Sequence, residues 1–199
     1  DIQRSDFIPI ATKRGFFFHS CEEGYILVVK RIKENAIIPT AANHTLGVGA
    51  VVINDKNEIL VIKERISNLG YKLPGGHIDN GEMISTAVSR EVLEETGIIV
   101  EFESIISLGH FYPHQFHKSN LYVICTANPK TFEINIQDIE EILDAKWVDV
   151  NAYLSDEKVL DYSKAIIVAA LEKKGFERIN QEVLAHIKKD FELFFPIKK

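Results

Sequence analysis

The sequence is poor in cysteine, lacks a long hydrophobic run and carries more acidic than basic residues. Its 199 residues include 23 Lys and Arg against 29 Asp and Glu, a formal net charge of −6 at pH 7. An acidic chain has no general attraction for a polyphosphate backbone, which argues against polymeric nucleic acid as a partner. Its uninterrupted apolar runs are far shorter than the roughly 20 residues that cross a bilayer, so we expect no transmembrane span and no membrane partner.

The two cysteines, Cys21 and Cys125, are too few for a disulfide scaffold. Both fall in strand-like apolar runs, which predicts reduced thiols that pack as small hydrophobes. No signal-peptide pattern opens the sequence. Together these observations predict a cytoplasmic protein.

Turn residues and apolar periodicity predict a mixed architecture. Two β-hairpins are expected, one from residues 15–19 and 25–30 and one from 46–53 and 58–62. A helix is expected over 82–96, where no Gly or Pro intervenes and Gly97 supplies a left-handed stop. Further strands are predicted at 98–108, 121–126 and 147–150, and helices near 163–173 and 181–194. This pattern indicates an α+β protein, an α/β/α sandwich, with segments 1–43, 44–155 and 156–199.

The predicted helix carries carboxylates on the face that should be core. At about 100° per residue its inward stripe consists of Ile84, Ala87, Val88 and Val92. Glu91, Glu94 and Glu95 continue this stripe into the last turns, where both mutual repulsion and the helix dipole disfavour them. Inward carboxylates are costly unless paired or metal-bound. Arg90 offsets one charge, and a divalent cation such as Mg²⁺ or Mn²⁺ would offset the remainder; the alternative is a solvated acidic helix end.

The loop before this helix contains Gly75, Gly76 and Gly81. Glycines allow the backbone to approach a ligand or a helix closely, and they leave carbonyl groups free to coordinate a cation beside the helix acids. The alternative is an ordinary turn between a strand and a helix.

Loop and helix together form one pattern: Gly76, five residues, Glu82, seven residues, then the run from Arg90 to Ile98. This pattern resembles the Nudix box, Gly-x5-Glu-x7-Arg-Glu-U-x-Glu-Glu-x-Gly-U with U aliphatic, at every position. The resemblance extends over roughly 44–153. It implies a Nudix fold, with a mixed β-sheet and the loop-helix of the box, and metal-dependent hydrolysis of a nucleoside diphosphate linked to another group.

The resemblance also implies roles for individual residues. Metal ligands, or acids that position the attacking water, would be Glu91, Glu94, Glu95 and the Gly75 carbonyl. The box would be held in shape by Glu82, Gly76 and Gly97. Arg90 would help to hold it through an ion pair, and it also belongs to the predicted catalytic residues. Which glutamate is the base varies within the family and stays open. Glu141, six residues before Trp147, is the candidate carboxylate from outside the box, with a plain surface acid as the alternative.

Looser motifs outside the box resemble one subgroup, that of the antisense fibroblast growth factor Nudix protein and the plant ADP-ribose/NADH Nudix hydrolases. These motifs lie at 7–9, 15–19, 46–52, 118–122 and the Trp147 strand. The resemblance implies that residues 1–43 are the end of an N-terminal hairpin domain. It implies ADP-ribose, NADH or a related small nucleotide as substrate, and a homodimer built by the flanking segments.

The loop 109–119 is the candidate substrate-binding segment. Phe111, Tyr112 and His114 are expected to line a pocket that stacks on a base, and Lys118 to contact phosphate. The alternatives are a plain turn and a solvated lysine. Other functions also stay open: a Nudix enzyme for coenzyme A or dinucleoside polyphosphates, a non-catalytic nucleotide-binding module, or a protein-interaction module.

Overall fold

The computed structural model describes residues 1–67, 70–172, 175–179 and 190–197. The chain forms two compact units, Asp1–His44 and Thr45–Lys199. In the first unit, a 3-10 helix at Ile2–Phe7 leads into helix α1, Ile8–Lys13. Strands β1, Phe17–Glu22, and β2, Tyr25–Val29, form the predicted antiparallel hairpin. No residue of this unit is buried.

Within the residues that the structure describes, the second unit forms two sheets and three α-helices. Its elements, with β3 starting one residue before the unit, are β3 (His44–Val52), β4 (Glu58–Glu64), α2 (Ile84–Thr96), β5 (Val100–Phe111), β6 (Ser119–Pro129), β7 (Ile142–Asp149), α3 (Val150–Ser155), α4 (Asp161–Leu171), β8 (Phe176–Arg178) and β9 (Phe194–Pro196). One sheet has the order β3-β6-β5-β8-β9, and the other pairs β4 with β7.

Helices cover both faces of these sheets. On one face α2 buries Ala87, Val88 and Val92 in a cluster with side chains of β3 and β5. On the other face Ile166 and Ile167 of α4 pack in a second cluster with β4 and α3. Strands covered on both faces read as continuous apolar runs. The predicted α/β/α sandwich of the α+β class is therefore confirmed.

The second predicted hairpin is wrong as a paired unit. Asn54 closes the expected turn, its side chain accepting the N–H groups of Lys56 and Glu58. Beyond the turn, however, β3 and β4 meet in one bridge, Ile53 with Ile59. β3 then joins β6 and β4 joins β7, because turn chemistry is local while strand pairing is decided by burial across the whole sandwich.

The C-terminal segment agrees with the sequence in part. The helix predicted near 163–173 is α4, which begins two residues earlier. The helix predicted at 181–194 falls largely on 180–189, which lie outside the described residues. Phe194 begins strand β9 instead of ending a helix, and β9 reaches the sheet through β8.

The two cysteines differ in environment. Cys125 is buried in the core between the sheet and α2, as predicted, and burial raises the pKa of its thiol to about 12. Cys21 is exposed on β1, so the prediction of a packed thiol is wrong there. Apolar neighbours in the sequence do not bury Cys21, because none of the first unit's residues is buried.

Among the described residues, no helix is long and apolar enough to cross a bilayer.

Candidate active site

Helix α2 ends where the sequence predicts, at a glycine that no other residue could replace without strain. Gly97 has φ +77°, the left-handed conformation, and its N–H donates to the Leu93 carbonyl at 2.7 Å. A Cβ at this position would lie 2.3 Å from the Asn135 carbonyl oxygen. The last turn of α2 is thus tightly packed against the segment around Asn135, which fixes the direction of the acids in that turn.

The start of α2 is held by a residue that sequence reasoning missed. Met83 precedes the helix and offers no side-chain cap. Instead the Glu192 carboxylate, 5% exposed, accepts hydrogen bonds from the Ser85 hydroxyl at 2.5 Å and the Ser85 N–H at 3.4 Å. Arg178 donates to the same hydroxyl and to the same carboxylate. A carboxylate at a helix N-terminus is favourable because it faces unpaired N–H groups and the positive end of the dipole.

Arg90 ties the loop and the helix together. Its guanidinium forms a bidentate pair with Glu82 at 2.9 and 2.8 Å. It also donates to Glu91 at 2.9 Å, to Glu94 at 3.0 Å and to the His77 carbonyl at 2.9 Å. These carboxylates raise the pKa of Arg90, with Glu82 the largest cause. One guanidinium therefore serves three carboxylates, which leaves the cluster negative.

Glu95 is the most buried acid of the site. It is 4% exposed, and its Oε2 accepts the Gly75 N–H at 2.7 Å. Burial raises the pKa of Glu95 to about 8, although the Gly75 bond and the charge of Lys72 act in the opposite direction. Gly75 has φ +146°, and a Cβ on it would lie 2.1 Å from the Val48 carbonyl oxygen, so only glycine fits beside Glu95.

The carbonyl of Gly75 stands apart from its neighbours. The carbonyls on either side, of Pro74 and Gly76, accept the N–H groups of Ala50 and Val48, both at 2.9 Å. No described residue donates to the Gly75 carbonyl, although Gly75 is buried. Buried carbonyls are nearly always paired. A carbonyl without a described donor, on a buried glycine next to an inward carboxylate, fits the hard-oxygen ligand set of Mg²⁺ or Mn²⁺.

The other two box acids differ in exposure. The Glu91 side chain is 12% exposed, and its carboxylate lies 2.7 Å from where a Cβ of Gly76 would be. Burial raises the pKa of Glu91, and the charges of Glu94 and Glu141 raise it further. The Glu94 side chain is 46% exposed, so Glu94 lies at the rim and not on the buried stripe predicted for it.

Glu141 lies at the edge of the same acid cluster. It is exposed, and its negative charge raises the pKa of both Glu91 and Glu95. Its backbone is held by a turn in which the Asp138 side chain accepts the Glu141 N–H at 3.1 Å.

The acids are near one another but do not converge. Among the described residues, no three His, Cys, Asp or Glu side chains converge on one metal position. Glu91 and Glu94 turn toward Arg90, while Glu95 turns toward the Gly75 N–H. Holding a cation would require at least one of these carboxylates to rotate away from its present partner. The donor types fit a divalent cation, and the Gly75 carbonyl is already free to contribute.

Sequence reasoning also missed two side chains near Glu95, one in the segment before the box loop and one on β6. Lys72 forms an ion pair with Glu64, and its charge lowers the pKa of Glu95. Tyr122 of β6 lies against Gly75, and its pKa is raised by burial and by the charges of Glu95 and Glu91. For Tyr122 there was a signal, the alternating Gly47 and Gly49 in an apolar strand, because glycine inside a strand marks a close approach.

The candidate substrate-binding residues are spread along one loop. The His114 ring lies 6.4 Å from the ring of His77 in the box loop, and the Phe111 ring meets the edge of Tyr162 on α4 at 6.4 Å. Tyr112 is 71% exposed, and Lys118 is exposed without an ion pair to any described residue. The structure thus places His114 beside the box and Phe111 beside α4, and leaves the other two in solvent.

The sandwich and the acid-bearing loop-helix are the fold and the motif of a Nudix protein, and similarity to known proteins agrees with this class. The sequence matches the NUDIX domain over residues 43–169. It is 35% identical to Nucleoside diphosphate-linked moiety X motif 6 of Xenopus laevis, over 89% of this chain and 84% of that protein. The chain belongs to the Nudix family.

Other relatives are longer. Nudix hydrolase 8 of Arabidopsis thaliana is 38% identical over 77% of this chain and 43% of its own length. Nudix hydrolase 2 of Arabidopsis thaliana is 37% identical over 76% of this chain and 56% of its own length. The chain therefore spans about half the length of these relatives. With the X motif 6 protein, they confirm the predicted subgroup.

Solved structures share the fold. A NUDIX hydrolase from Nitrosomonas europaea has a TM-score of 0.56 at 23% identity and covers 72% of this chain and 97% of its own. The NUDIX domain of Shewanella oneidensis NrtR, solved in complex with ADP ribose, has a TM-score of 0.55 at 23% identity, over 67% of this chain and 90% of its own.

Proposed function

We propose that the protein is a metal-dependent pyrophosphohydrolase that cleaves a nucleoside diphosphate linked to another group, with ADP-ribose or an NADH-like dinucleotide as substrate. The observation that carries this proposal is that one residue, Gly75, donates its N–H to the buried Glu95 carboxylate and has a carbonyl to which no described residue donates. Neither arrangement favours folding on its own, because both leave a polar group poorly compensated. A bound divalent cation compensates both.

The residues would act as follows. Glu91, Glu94, Glu95 and the Gly75 carbonyl would hold Mg²⁺ or Mn²⁺. When bound, the cation supplies positive charge that neutralises the phosphate oxygens. Arg90 orients Glu91 and Glu94 through the hydrogen bonds at 2.9 and 3.0 Å, while Glu82, Gly76 and Gly97 keep the loop and helix in register.

The reaction consumes one water. The water oxygen bonds to one phosphorus of the pyrophosphate, the bond from that phosphorus to the bridging oxygen breaks, and a carboxylate accepts the proton of the water. For ADP-ribose the products are AMP and ribose 5-phosphate. Glu141 is a suitable proton acceptor because it is exposed at the rim of the cluster while its charge still reaches Glu91 and Glu95.

The loop between β5 and β6 would bind the rest of the substrate. Phe111 and Tyr112 offer aromatic faces for a base, and His114 and Lys118 offer donors to phosphate or ribose. Two facts support an ADP-ribose-like substrate: the name of the Xenopus relative refers to a nucleoside diphosphate-linked moiety, and a protein of the same fold was solved with ADP ribose.

We further propose a cytoplasmic homodimer built by the flanking segments. The first unit exposes large apolar side chains, including Phe18, Tyr25 and Ile37, and buries none of its residues. A two-stranded hairpin of this kind is marginal in water unless another surface covers it. Light scattering coupled to size exclusion tests the dimer, and a monomeric mass at micromolar concentration would refute it.

A hydrolysis panel tests the function. The parent, Glu95→Gln and the control Glu101→Gln are each incubated with ADP-ribose, NADH, coenzyme A and diadenosine polyphosphates, with and without Mg²⁺ or Mn²⁺. Glu101 is a suitable control because it is a solvent-exposed glutamate that pairs with Lys130, away from the acid cluster. We expect metal-dependent turnover of ADP-ribose or NADH by the parent and the control, and loss of at least about 100-fold in Glu95→Gln.

The alternatives predict other results. Preferred turnover of coenzyme A or a diadenosine polyphosphate would correct the substrate. Binding without turnover of any substrate would identify a nucleotide-binding module. Equal activity of the parent and Glu95→Gln would refute the proposed site.

A further inference from the structure

Tyr122 occupies a slot that three glycines leave open. A Cβ at Gly47 would lie 2.6 Å from Cδ2 of the Tyr122 ring, and a Cβ at Gly49 would lie 3.1 Å from both Cε1 and the hydroxyl. The ring therefore lies directly over the backbone of β3. A Cβ at Gly75 would lie 3.0 Å from the same hydroxyl. The hydroxyl thus reaches the glycine whose N–H holds Glu95.

The Tyr122 hydroxyl has no partner within the described part of the chain. No described residue donates to it or accepts from it. Tyr122 is partly exposed, and its hydroxyl lies against Gly75, whose N–H donates to Glu95. The hydroxyl is therefore available to a ligand that binds beside Glu95.

Packing alone does not account for this hydroxyl. A phenylalanine would fill the slot above Gly47 and Gly49 with the same ring. Tyr153, in the same apolar cluster, shows the usual arrangement, since its hydroxyl donates to the Tyr71 carbonyl.

We propose that the Tyr122 hydroxyl contacts the substrate, donating a hydrogen bond to a phosphate oxygen of the pyrophosphate group next to Glu95. This inference rests on the proposed function and extends it to a residue outside the box. A neutral hydroxyl suits this position, because it donates to a phosphate oxygen without adding negative charge to the acid cluster. It also leaves the hydrogen bonds of Arg90 undisturbed. The contact would fix the phosphate relative to the Gly75 carbonyl.

The test compares Tyr122→Phe with Tyr153→Phe, each of which removes one hydroxyl from the same cluster. Four quantities are measured: kcat and KM for the best substrate, the affinity for α,β-methylene-ADP in Mg²⁺, the affinity for Mn²⁺ alone, and Tm. A hydrogen bond to a charged group contributes a factor of roughly 10 to 100 in affinity. We expect Tyr122→Phe to lose about that factor in kcat/KM and to bind the analogue at least about tenfold more weakly. Its Mn²⁺ affinity and Tm should match the parent.

Four outcomes decide the matter. Unchanged kinetics and unchanged analogue affinity in Tyr122→Phe would overturn the proposal. A parallel fall in Mn²⁺ affinity and Tm would show a structural role and would also overturn it. If the parent hydrolyses nothing but binds the analogue more tightly than Tyr122→Phe, the proposed function fails while the Tyr122 contact stands. If the parent neither hydrolyses nor binds, both fail.

Discussion

Replacing Glu95 with glutamine should stabilise the protein when no metal is present. The buried carboxylate has a pKa of about 8 in the folded chain against an ordinary value of 4.5. Folding therefore favours the protonated acid. The contribution of Glu95 to the free energy of unfolding is fully present below pH 4.5 and is lost as the pH rises from 4.5 through 8. Glutamine carries no charge, and its amide oxygen still accepts the Gly75 N–H, so Glu95→Gln escapes this loss.

The magnitude follows from linkage. For this pair of pKa values, the ionised carboxylate destabilises the metal-free fold by about 1 kcal/mol at pH 5 and at most about 4 kcal/mol at pH 8. In a domain of this size, 1 kcal/mol corresponds to roughly 2–4 °C in Tm. The Tm advantage of Glu95→Gln should therefore grow from a few degrees at pH 5 to roughly 10 °C at pH 8.

Metal should narrow this stability gap at pH 8, because the stabilisation that it gives the parent offsets most of the roughly 4 kcal/mol lost through the ionised carboxylate. A cation that binds only the folded protein stabilises it by about 2.7 kcal/mol at 100 times its Kd, and Glu95→Gln should gain little of this. The assay is thermal unfolding at pH 5 and pH 8, in EDTA and in saturating Mg²⁺, with Glu101→Gln as the control that follows the parent. A variant less stable than the parent in EDTA at pH 8, or a gap independent of pH, would refute the reasoning.

Three further substitutions probe the loop and the helix that carry the acids. Gly76→Ala places a Cβ 2.7 Å from the Glu91 carboxylate, so its affinity for Mn²⁺, measured by calorimetry, should fall at least about tenfold. The control is Gly70→Ala, which has nothing within 4 Å of the added Cβ and should bind Mn²⁺ as the parent does. Arg90→Lys keeps the charge but loses the bidentate pair and should lower kcat about 10- to 100-fold in the hydrolysis assay; full activity would contradict the role given to its geometry. Glu192→Gln removes the charge at the start of α2 and should lower Tm by several degrees, and an unchanged Tm would show that the helix does not need it.

The loop and helix of the site were predictable because their determinants are local. The apolar stripe beginning at Ile84 and the stop at Gly97 are read directly from the chain, and the observed helix begins within two residues of the predicted start. The first hairpin was predicted with its pairing and β3 to β7 were predicted as strands, but the partners of β3 and β4 were not predicted. Asn54 closes its turn as expected, yet β3 and β4 enter different sheets, since sheet membership depends on residues far apart in sequence.

Two of the residues that were missed, Tyr122 and Glu192, reach the site from a distant element. Tyr122 lies over Gly47 and Gly49 only because β6 pairs with β3. Glu192 contacts Ser85 only because β8 and β9 extend the sheet beside β5. The alternating glycines of β3 indicate a close approach there, but no pattern along the chain identifies the residue that makes it. Glu94 shows a limit of helical periodicity. A rotation of about 100° per residue places Glu94 near the buried stripe, but in the fold its side chain is about half exposed.

The Glu192 contact also bears on how the protein is made. Its partner Ser85 lies 107 positions earlier in the chain. At a synthesis rate of about 5–20 residues per second, the helix that carries the acids leaves the ribosome roughly 5–20 s before the residue that holds its first turn. During that interval the nascent chain presents an acidic helix whose N-terminal N–H groups lack their carboxylate. The site is thus completed only after residue 192 has been synthesised, and a ribosome-stalled intermediate ending before residue 190 should contain the full box without a fully held helix.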